Sequence, residues 1–355
     1  MFNISEFLRI NRFYVIWTIF LGIIYMFRSM FGLVFMTFIM CFIFAGIARK
    51  LRRKFHWNRR VIVICLYTLF LIFEIGFLMY IPSRLLSETI SFTDQLPKSV
   101  NSLKSWFELN FENNEILSPI VSHVKMGISP EKTVISVWNF TRSVLEKSLH
   151  YIGWFYLAML FSFLILLDLP ELSLGIRRLR YTKLAETYRE TADSIMLFGK
   201  VVGENFRAQL IISAINTTLT AIGLHILGIN AIALLCTIVF MCGLIPVLGM
   251  FISSVPIVLM AVNTGGIHLG LWAIVMIAII HILEAYVLNP RIVSSVMHIN
   301  PVMTLIILYI AHTLIGLWGM LLGVPITVYF YRKISISNQK DTTVKKEFFP
   351  FHIKG

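Results

Sequence analysis

Charged residues are scarce in this sequence. Of its 355 residues, 14% are Asp, Glu, Lys or Arg, while 57% belong to the hydrophobic set. A soluble globular protein carries about 25% charged residues on average, because its surface must face water. The shortage therefore excludes a soluble enzyme, a secreted disulfide scaffold and a disordered regulator, and it predicts an integral membrane protein.

Sequence signatures of catalysis and of metal binding are also missing. The chain contains no HExxH or GxSxG motif, and it lacks the GxxxxGK[ST] loop that binds nucleotide phosphates. Its four cysteines lie inside apolar runs, without CxxC spacing or a neighbouring histidine, so we interpret them as packing residues. We expect no enzyme activity, no metal centre, no cofactor and no ATP-driven step.

Long apolar runs are what the sequence has in abundance. At about 20 residues for each crossing of the bilayer, they predict an all-α polytopic fold with six continuous transmembrane helices and two helical hairpins. Two runs are too long for one helix and are interrupted by Gly and Pro, in GLIPVLG at 243–249 and in GLWG at 316–319. Their arms suit either tilted crossings or re-entrant hairpins. The continuous helices are predicted at 13–27, 31–48, 61–81, 151–168, 206–227 and 267–288, and the hairpins at 231–263 and 301–331.

The basic residues predict the topology. Lys and Arg number 31 against 18 Asp and Glu, which gives a formal net charge of +13. If the N-terminus is inside, 23 of the 31 fall in segments assigned to the cytoplasm, as expected because cytoplasmic loops retain Lys and Arg. No basic stripe is interleaved with exposed aromatic residues, so nucleic acid is not an expected partner, whereas the lipid bilayer is.

Three acidic residues fall inside the apolar runs: Glu74, Asp168 and Glu284. Asp168 is at the inner end of its run and reaches the interface. Glu74 is in the middle of its run, where it is either a coupling carboxylate or a structural group that is protonated or paired with another helix. An ionisable group at membrane depth is costly without a partner or a cavity, which makes Glu74 and Glu284 candidates for a function.

Glu284 is the stronger of the two candidates. It follows His281 by three residues, so both side chains lie on one helical face. Its run ends at a polar break formed by Asn289, Pro290 and Arg291. A role in binding or moving a solute and a purely structural pairing with His281 or Arg291 are both open interpretations.

A stripe of polar residues runs along the predicted helix at 206–227. Its members are separated by four, three, one and three residues, which places them on one helical face. Such a face either bonds to a neighbouring helix or lines a hydrated path for a solute. The stripe consists of Gln209, Ser213, Asn216, Thr217 and Thr220.

The C-terminal part outlines a repeat. The predicted helix at 206–227, which carries polar residues, precedes the hairpin at 231–263. A second helix with polar residues, at 267–288, precedes the hairpin at 301–331. Paired, interrupted hydrophobic segments are typical of transporter binding sites, because broken helices point their dipoles at the solute. The residues expected at hairpin tips and helix breaks are Gly243, Pro246, Gly249, Pro256, Pro290, Gly316, Gly319 and Pro325.

These features divide the chain into five parts. The predicted parts are three transmembrane helices in 1–81, an extracytoplasmic amphipathic helical insert in 82–150, a transmembrane helix and cytoplasmic helical linker in 151–205, a transport core of two span-plus-hairpin units in 206–331 and a basic cytoplasmic tail in 332–355.

Two stretches resemble the autoinducer-2 exporter family, also called PerM-type permeases. They are CGLIPVLGMFISSVPIVLMAV at 242–262 and LEAYVLNPRIVSSVMHINPVMTLIILYIAHTLIGLWGMLLGVPITVYFY at 283–331. The resemblance implies transport of a small solute, or sodium/proton exchange as in some members, without fixing the solute. Ser294 and Ser295 depart from the family pattern, which usually has a glycine after Pro-Arg-Ile. The matching positions are Gly243, Pro246, Gly249, Pro256, Glu284, Pro290, Arg291, Pro301, Gly316, Gly319 and Pro325.

Taken together, the residues and the resemblance predict a gradient-driven exporter of a small polar solute, such as a signalling molecule. One alternative is a sodium(lithium)/proton antiporter with Glu284 or Glu74 as its titrating carboxylate. Another is a membrane scaffold that transports nothing and organises partner proteins. The expected partners are the bilayer, the solute or a monovalent cation, protons and further copies of the chain. The expected location is the inner (cytoplasmic) membrane of a bacterial cell, with both termini cytoplasmic.

Overall fold

The computed structural model describes residues 30–111, 130–178, 181, 185–289 and 301–348. Within these ranges the chain forms eight α-helices and one π-helical turn and contains no strand, which confirms the all-α fold class. The helices are α1 (Phe31–Phe55), α2 (Arg59–Phe111), α3 (Pro130–Arg178), α4 (Ala185–Ile226), α5 (Ile232–Cys242), α6 (Leu248–Leu283), α7 (Pro301–Ile315) and α8 (Leu317–Phe348), and the π-helical turn is Glu284–Leu288.

Five helices in the described ranges are long and apolar enough to cross a membrane. They contain five of the six predicted continuous spans, while the sixth, at 13–27, lies outside the described residues. Two shorter apolar helices, Ile232–Cys242 and Val302–Leu314, fall in the predicted hairpins. The polytopic membrane fold is thereby confirmed.

The helix α2 is much longer than a membrane crossing. Its 53 residues correspond to about 80 Å at 1.5 Å per residue, against ~30 Å of hydrocarbon. The helix continues through Pro82 and Pro97. The segment that the sequence predicts as an insert from residue 82 therefore starts as a direct extension of the preceding span. The segment ends in α3, and this helix continues into the next span without a break.

The chain divides into two compact units. The core unit takes in the described residues of 32–169 and 207–294, and the end unit takes in those of 30–31, 170–206 and 301–348. In the core unit, α1, α2 and α3 pack through an apolar cluster, beside which the Tyr67 and Ser162 hydroxyls share a 2.7 Å hydrogen bond. The buried residues of this cluster are Met40, Phe44, Ala48, Ile62, Val63, Tyr67, Met159 and Leu166.

A helical hairpin forms in the core unit where GLIPVLG interrupts the apolar run. The helix α5 ends at Cys242 and α6 begins at Leu248. A Cβ atom on Gly249 would overlap the carbonyl oxygen of Cys242, so only glycine lets the two arms approach this closely. The predicted hairpin is confirmed; "the first hairpin" below means residues 232–264.

The helix α6 contains the boundary between that hairpin and the next predicted span. Gly265 and Gly266 have non-helical backbone angles, with a φ of 68° at Gly266. They separate a first arm, 248–264, which belongs to the first hairpin, from a second arm, 267–283, which is followed directly by Glu284. The first hairpin and the span after it are therefore distinct elements, as the sequence predicts.

The second predicted hairpin lies in the end unit. The helices α7 and α8 lie against each other on either side of Gly316, and a Cβ atom on Gly319 would overlap the carbonyl oxygen of Ala311. The same close approach of two arms thus recurs here, which confirms the second hairpin. Near its end, Arg332 of α8 lies 3.7 Å from the carboxylate of Glu204 on α4.

Candidate functional site

The polar stripe on α4 is largely buried. Ser213, Asn216 and Thr220 are 0%, 8% and 4% exposed, and Gln209 and Thr217 are half-buried. A buried polar group without a hydrogen bond costs about 1–3 kcal/mol. The partners of these side chains therefore reveal what the stripe does.

Two members of the stripe hold the break of the first hairpin. The side-chain amide of Gln209 donates a 2.6 Å hydrogen bond to the carbonyl of Gly243, and the hydroxyl of Ser213 donates one of 2.6 Å to the carbonyl of Phe240. Both carbonyls are at the C-terminus of α5, where the helix itself offers no partner. The stripe thus satisfies the interrupted helix end and fixes the hairpin tip against α4.

A third member meets the candidate carboxylate. The side-chain amide of Asn216 donates a 2.7 Å hydrogen bond to Oε2 of Glu284, and Nδ1 of His281 lies 3.3 Å from the same oxygen. The Glu284 side chain is 23% exposed. The other polar atom of Asn216, Oδ1, is buried and has no hydrogen-bond partner in the described part of the chain. The group of Asn216, His281 and Glu284 therefore contains one carboxylate and one amide oxygen that is available to accept a hydrogen bond.

These groups surround a small cavity between α4, α6 and the hairpin tip. Its volume is about 50 Å³, which is room for about one or two water molecules at ~30 Å³ each in the liquid. Gly243, Ile245, Val247 and Gly249 bring the broken segment to its wall. Its polar lining consists of Gln209, Asn216, Thr220, Ser253, Ser254, His281 and Glu284.

The carboxylate stands at the start of a π-helical turn, Glu284–Leu288. The amide of Asn289 bonds to the carbonyl of Glu284, which closes the wider π-type ring. Such turns occur frequently at functional sites. The segment EAYVL contains neither Gly nor Pro, so no sequence signal predicts the turn.

The sequence patterns did not predict two other features of the site. Val247 has a φ of 65° and a ψ of −56°, a positive-φ conformation that a β-branched residue rarely adopts and that costs about 1–3 kcal/mol. Ser253 and Ser254 line the cavity from α6, and their position in an otherwise apolar run was the signal that would have found them. The strain at Val247 lies in the same wall as the hairpin break.

Two predicted site residues, Thr217 and Asn289, do not line the cavity. The hydroxyl of Thr217 donates to the carbonyl of Ser213 on its own helix, at 2.8 Å. Asn289 is exposed, and Pro290 and Arg291 lie outside the described residues. The predicted pairing of Arg291 with Glu284 stays a prediction.

The remaining described candidates do not line the cavity. Glu74 is on α2, where its Oε2 is buried and has no hydrogen-bond partner among the described residues, and it does not line the cavity. Pro246 is in the break of the first hairpin and Pro256 is inside α6. Gly316, Gly319 and Pro325 belong to the second hairpin, in the end unit.

Comparison with known proteins identifies the family. The model of AI-2E family transporters matches residues 14–337. The chain belongs to the AI-2E transporter family. The predicted resemblance is thus confirmed, and this AI-2E protein is a multi-pass membrane protein of a family of transporters rather than of enzymes.

Individual relatives of this AI-2E protein have names that refer to transport. YdbI of Bacillus subtilis strain 168, a candidate transport protein, is 27% identical over 337 residues, which cover 93% of each chain. A candidate transport protein of Alkalihalophilus pseudofirmus is 24% identical over 79% of this chain and 75% of its own. A Halobacillus andaensis protein named sodium-lithium/proton antiporter is 23% identical over 79% of this chain and 82% of its own.

Proposed function

We propose that this AI-2E protein is a gradient-driven transporter that exports a small polar solute, such as a signalling molecule, by way of the cavity beneath the first hairpin. The observation that supports this most is the pairing of Asn216 with Glu284 beside an interrupted helix. Broken helices and intramembrane carboxylates typically mark the paths of solutes and ions. Because the sequence has no phosphate-binding loop, the energy comes from a gradient.

The size of the cavity defines what has to move. Sites for drug-sized ligands usually measure about 300–1,000 Å³, several times more than the 50 Å³ found here. An organic solute therefore passes only after the hairpin tip leaves α4. That movement breaks the hydrogen bonds from Gln209 and Ser213 to the carbonyls of α5. Once the tip has moved, the Glu284 carboxylate and Oδ1 of Asn216 are available to the donors of a polar solute.

A second candidate function is sodium(lithium)/proton exchange. It is favoured by a cavity that is large enough for a small cation but not for an organic solute, and that holds one carboxylate and an amide oxygen without a hydrogen-bond partner among the described residues. In this mechanism a cation and a proton compete for Glu284, with His281 as the titratable neighbour in the lining. The name of the Halobacillus andaensis relative supports this candidate.

Reconstitution of the purified protein in sealed liposomes tests the proposal. We expect the protein to release a loaded polar solute or to exchange Na⁺ or Li⁺ for protons, in response to an imposed pH or sodium gradient. A screen of metabolites and monovalent cations separates the exporter from the antiporter. Protein-free liposomes and liposomes with Glu284→Gln are the controls. If wild-type protein moves nothing under any gradient, transport is refuted and the scaffold alternative is favoured.

A further inference from the structure

The N-terminus of α5 is capped by a residue of another helix. Its own N-cap position is Ala231, which has a left-handed φ of 62° and no capping side chain. The first amides of a helix need an acceptor from outside it. Glu88 of α2 provides one, because its Oε2 accepts a 2.7 Å hydrogen bond from the amide of Leu234. The negative charge also suits the positive end of the helix dipole.

The other end of the first hairpin is bound to the same helix. The side-chain amide of Asn263 donates a hydrogen bond to Oε1 of Gln95 on α2. Asn263 lies two residues before Gly265, where α6 departs from helical geometry. Glu88 and Gln95 thus hold the two ends of the hairpin base.

The four contact residues of α2 form one face of that helix. Phe92 and Leu96 follow Glu88 by four and eight residues, so they lie on the same helical face as Glu88 and Gln95. They are 7% and 2% exposed and belong to the apolar cluster that includes Leu235 of α5. The base is therefore held by a charge-assisted cap, an amide pair and buried apolar surface. The tip is held by two hydrogen bonds from Gln209 and Ser213.

We infer that Glu88 and Gln95 are positioning residues that hold the base of the first hairpin as a fixed pivot while its tip moves away from α4. The inference rests on the proposed transport function, in which the tip has to move. Because the tip has fewer contacts than the base, opening the cavity breaks the tip contacts first. Neither residue lines the cavity, so each acts through the hairpin and not on the solute.

Amide hydrogen exchange across 231–247 tests the pivot without any need for transport. We expect Glu88→Ala to speed the exchange of the first amides of α5 about 5- to 10-fold, as the loss of a helix cap does. Glu88→Gln keeps an acceptor oxygen and should restore most of the protection. Asp94→Asn, an exposed carboxylate on the same helix, is the matched control and should change nothing. Exchange in Glu88→Ala equal to wild type would overturn the inference.

Flux separates a pivot from a simple stabilising contact. We expect folded Glu88→Ala protein to lose turnover by roughly 3- to 30-fold, with KM little changed and with rescue by Glu88→Gln. Wild-type turnover in folded Glu88→Ala protein would refute the positioning role. Failure of all transport in wild type refutes the proposed function, yet the exchange measurement still decides on the pivot. If Glu88→Ala does not fold, Gln95→Met provides the same exchange test at residues 261–264, where unchanged protection would count against the pivot.

Discussion

Asn216 and Glu284 are 68 residues apart in the sequence, yet the side-chain amide of one donates a 2.7 Å hydrogen bond to the carboxylate of the other. The bond joins α4 to the end of α6 at the wall of the cavity. The hydroxyl of Thr218, two residues after Asn216, donates a hydrogen bond to the carbonyl of Ala214 on its own helix. Thr218 is therefore a suitable control position for a mutation of Asn216.

Replacing Glu284 with Gln should abolish proton-coupled flux and flatten its dependence on pH, because the amide keeps the size of the side chain but does not titrate. The other titratable residue in the cavity lining is His281. Flux in liposomes across a series of pH values measures the effect. Glu204→Gln is the control, since Glu204 is 47% exposed and pairs with Lys200 and Arg332. A folded mutant with full flux and the wild-type pH profile would exclude Glu284 and leave Glu74 as the carboxylate to test.

Replacing Asn216 with Leu should reduce both stability and transport. The change removes the donor to Glu284 and leaves a carboxylate with fewer partners, a loss of about 1–3 kcal/mol in the free energy of unfolding. Thermal unfolding in detergent and flux in liposomes measure the two effects. Thr218→Val, on the exposed side of α4, should leave both unchanged. Equal behaviour of the two mutants would show that Asn216 has no special role.

Adding a single methyl group at Gly249 should destabilise the first hairpin. A Cβ atom there meets the carbonyl of Cys242, so the arms have to separate, at a cost of about 1–3 kcal/mol. The control is Gly46→Ala in α1, where nothing lies within 4 Å of the added atom. We expect a lower melting temperature and lower flux for Gly249→Ala alone. An unchanged melting temperature would mean that the two arms do not need this close approach.

The predicted topology is tested by labelling single cysteines in intact cells, after the four native cysteines are replaced. A cysteine in 49–60, 181–184 or 340–345 should react with an impermeant reagent only after the membrane is opened, because these segments carry the basic residues of cytoplasmic loops. A cysteine at 101–105 should react in intact cells. Labelling of 49–60 from outside would reverse the orientation.

The sequence was sufficient for the fold because its main signals are local. Consecutive residues are enough to recognise apolar runs as long as a bilayer is thick and the breaks at 243–249 and 316–319. The five described spans and both hairpins confirm these predictions. The length of α2 was not predicted, because Pro82 and Pro97 do not end the helix. Proline weakens a helix through one lost hydrogen bond and a steric clash, and packing against other elements offsets that cost.

The candidate site was predictable only in part. The stripe on α4 and the spacing of His281 and Glu284 pointed to the two helices, because both patterns follow from helical periodicity. The pairing of Asn216 with Glu284 and the cap from Glu88 to Leu234 join residues 68 and 146 positions apart. Such contacts depend on how the helices pack, and a single sequence does not encode them in any local pattern.

The π-helical turn at Glu284–Leu288 makes the end of α6 tolerant of a change in length by one residue. Deleting one residue between 285 and 288 would let the chain return to ordinary α-helical winding. The deletion would turn the i→i+5 bond between Asn289 and Glu284 into an α-helical i→i+4 bond, so the helix on either side would keep its face and Glu284 would still face Asn216. In alignments of AI-2E proteins, a one-residue gap at this position is therefore compatible with an unchanged contact between the glutamate and the stripe on α4.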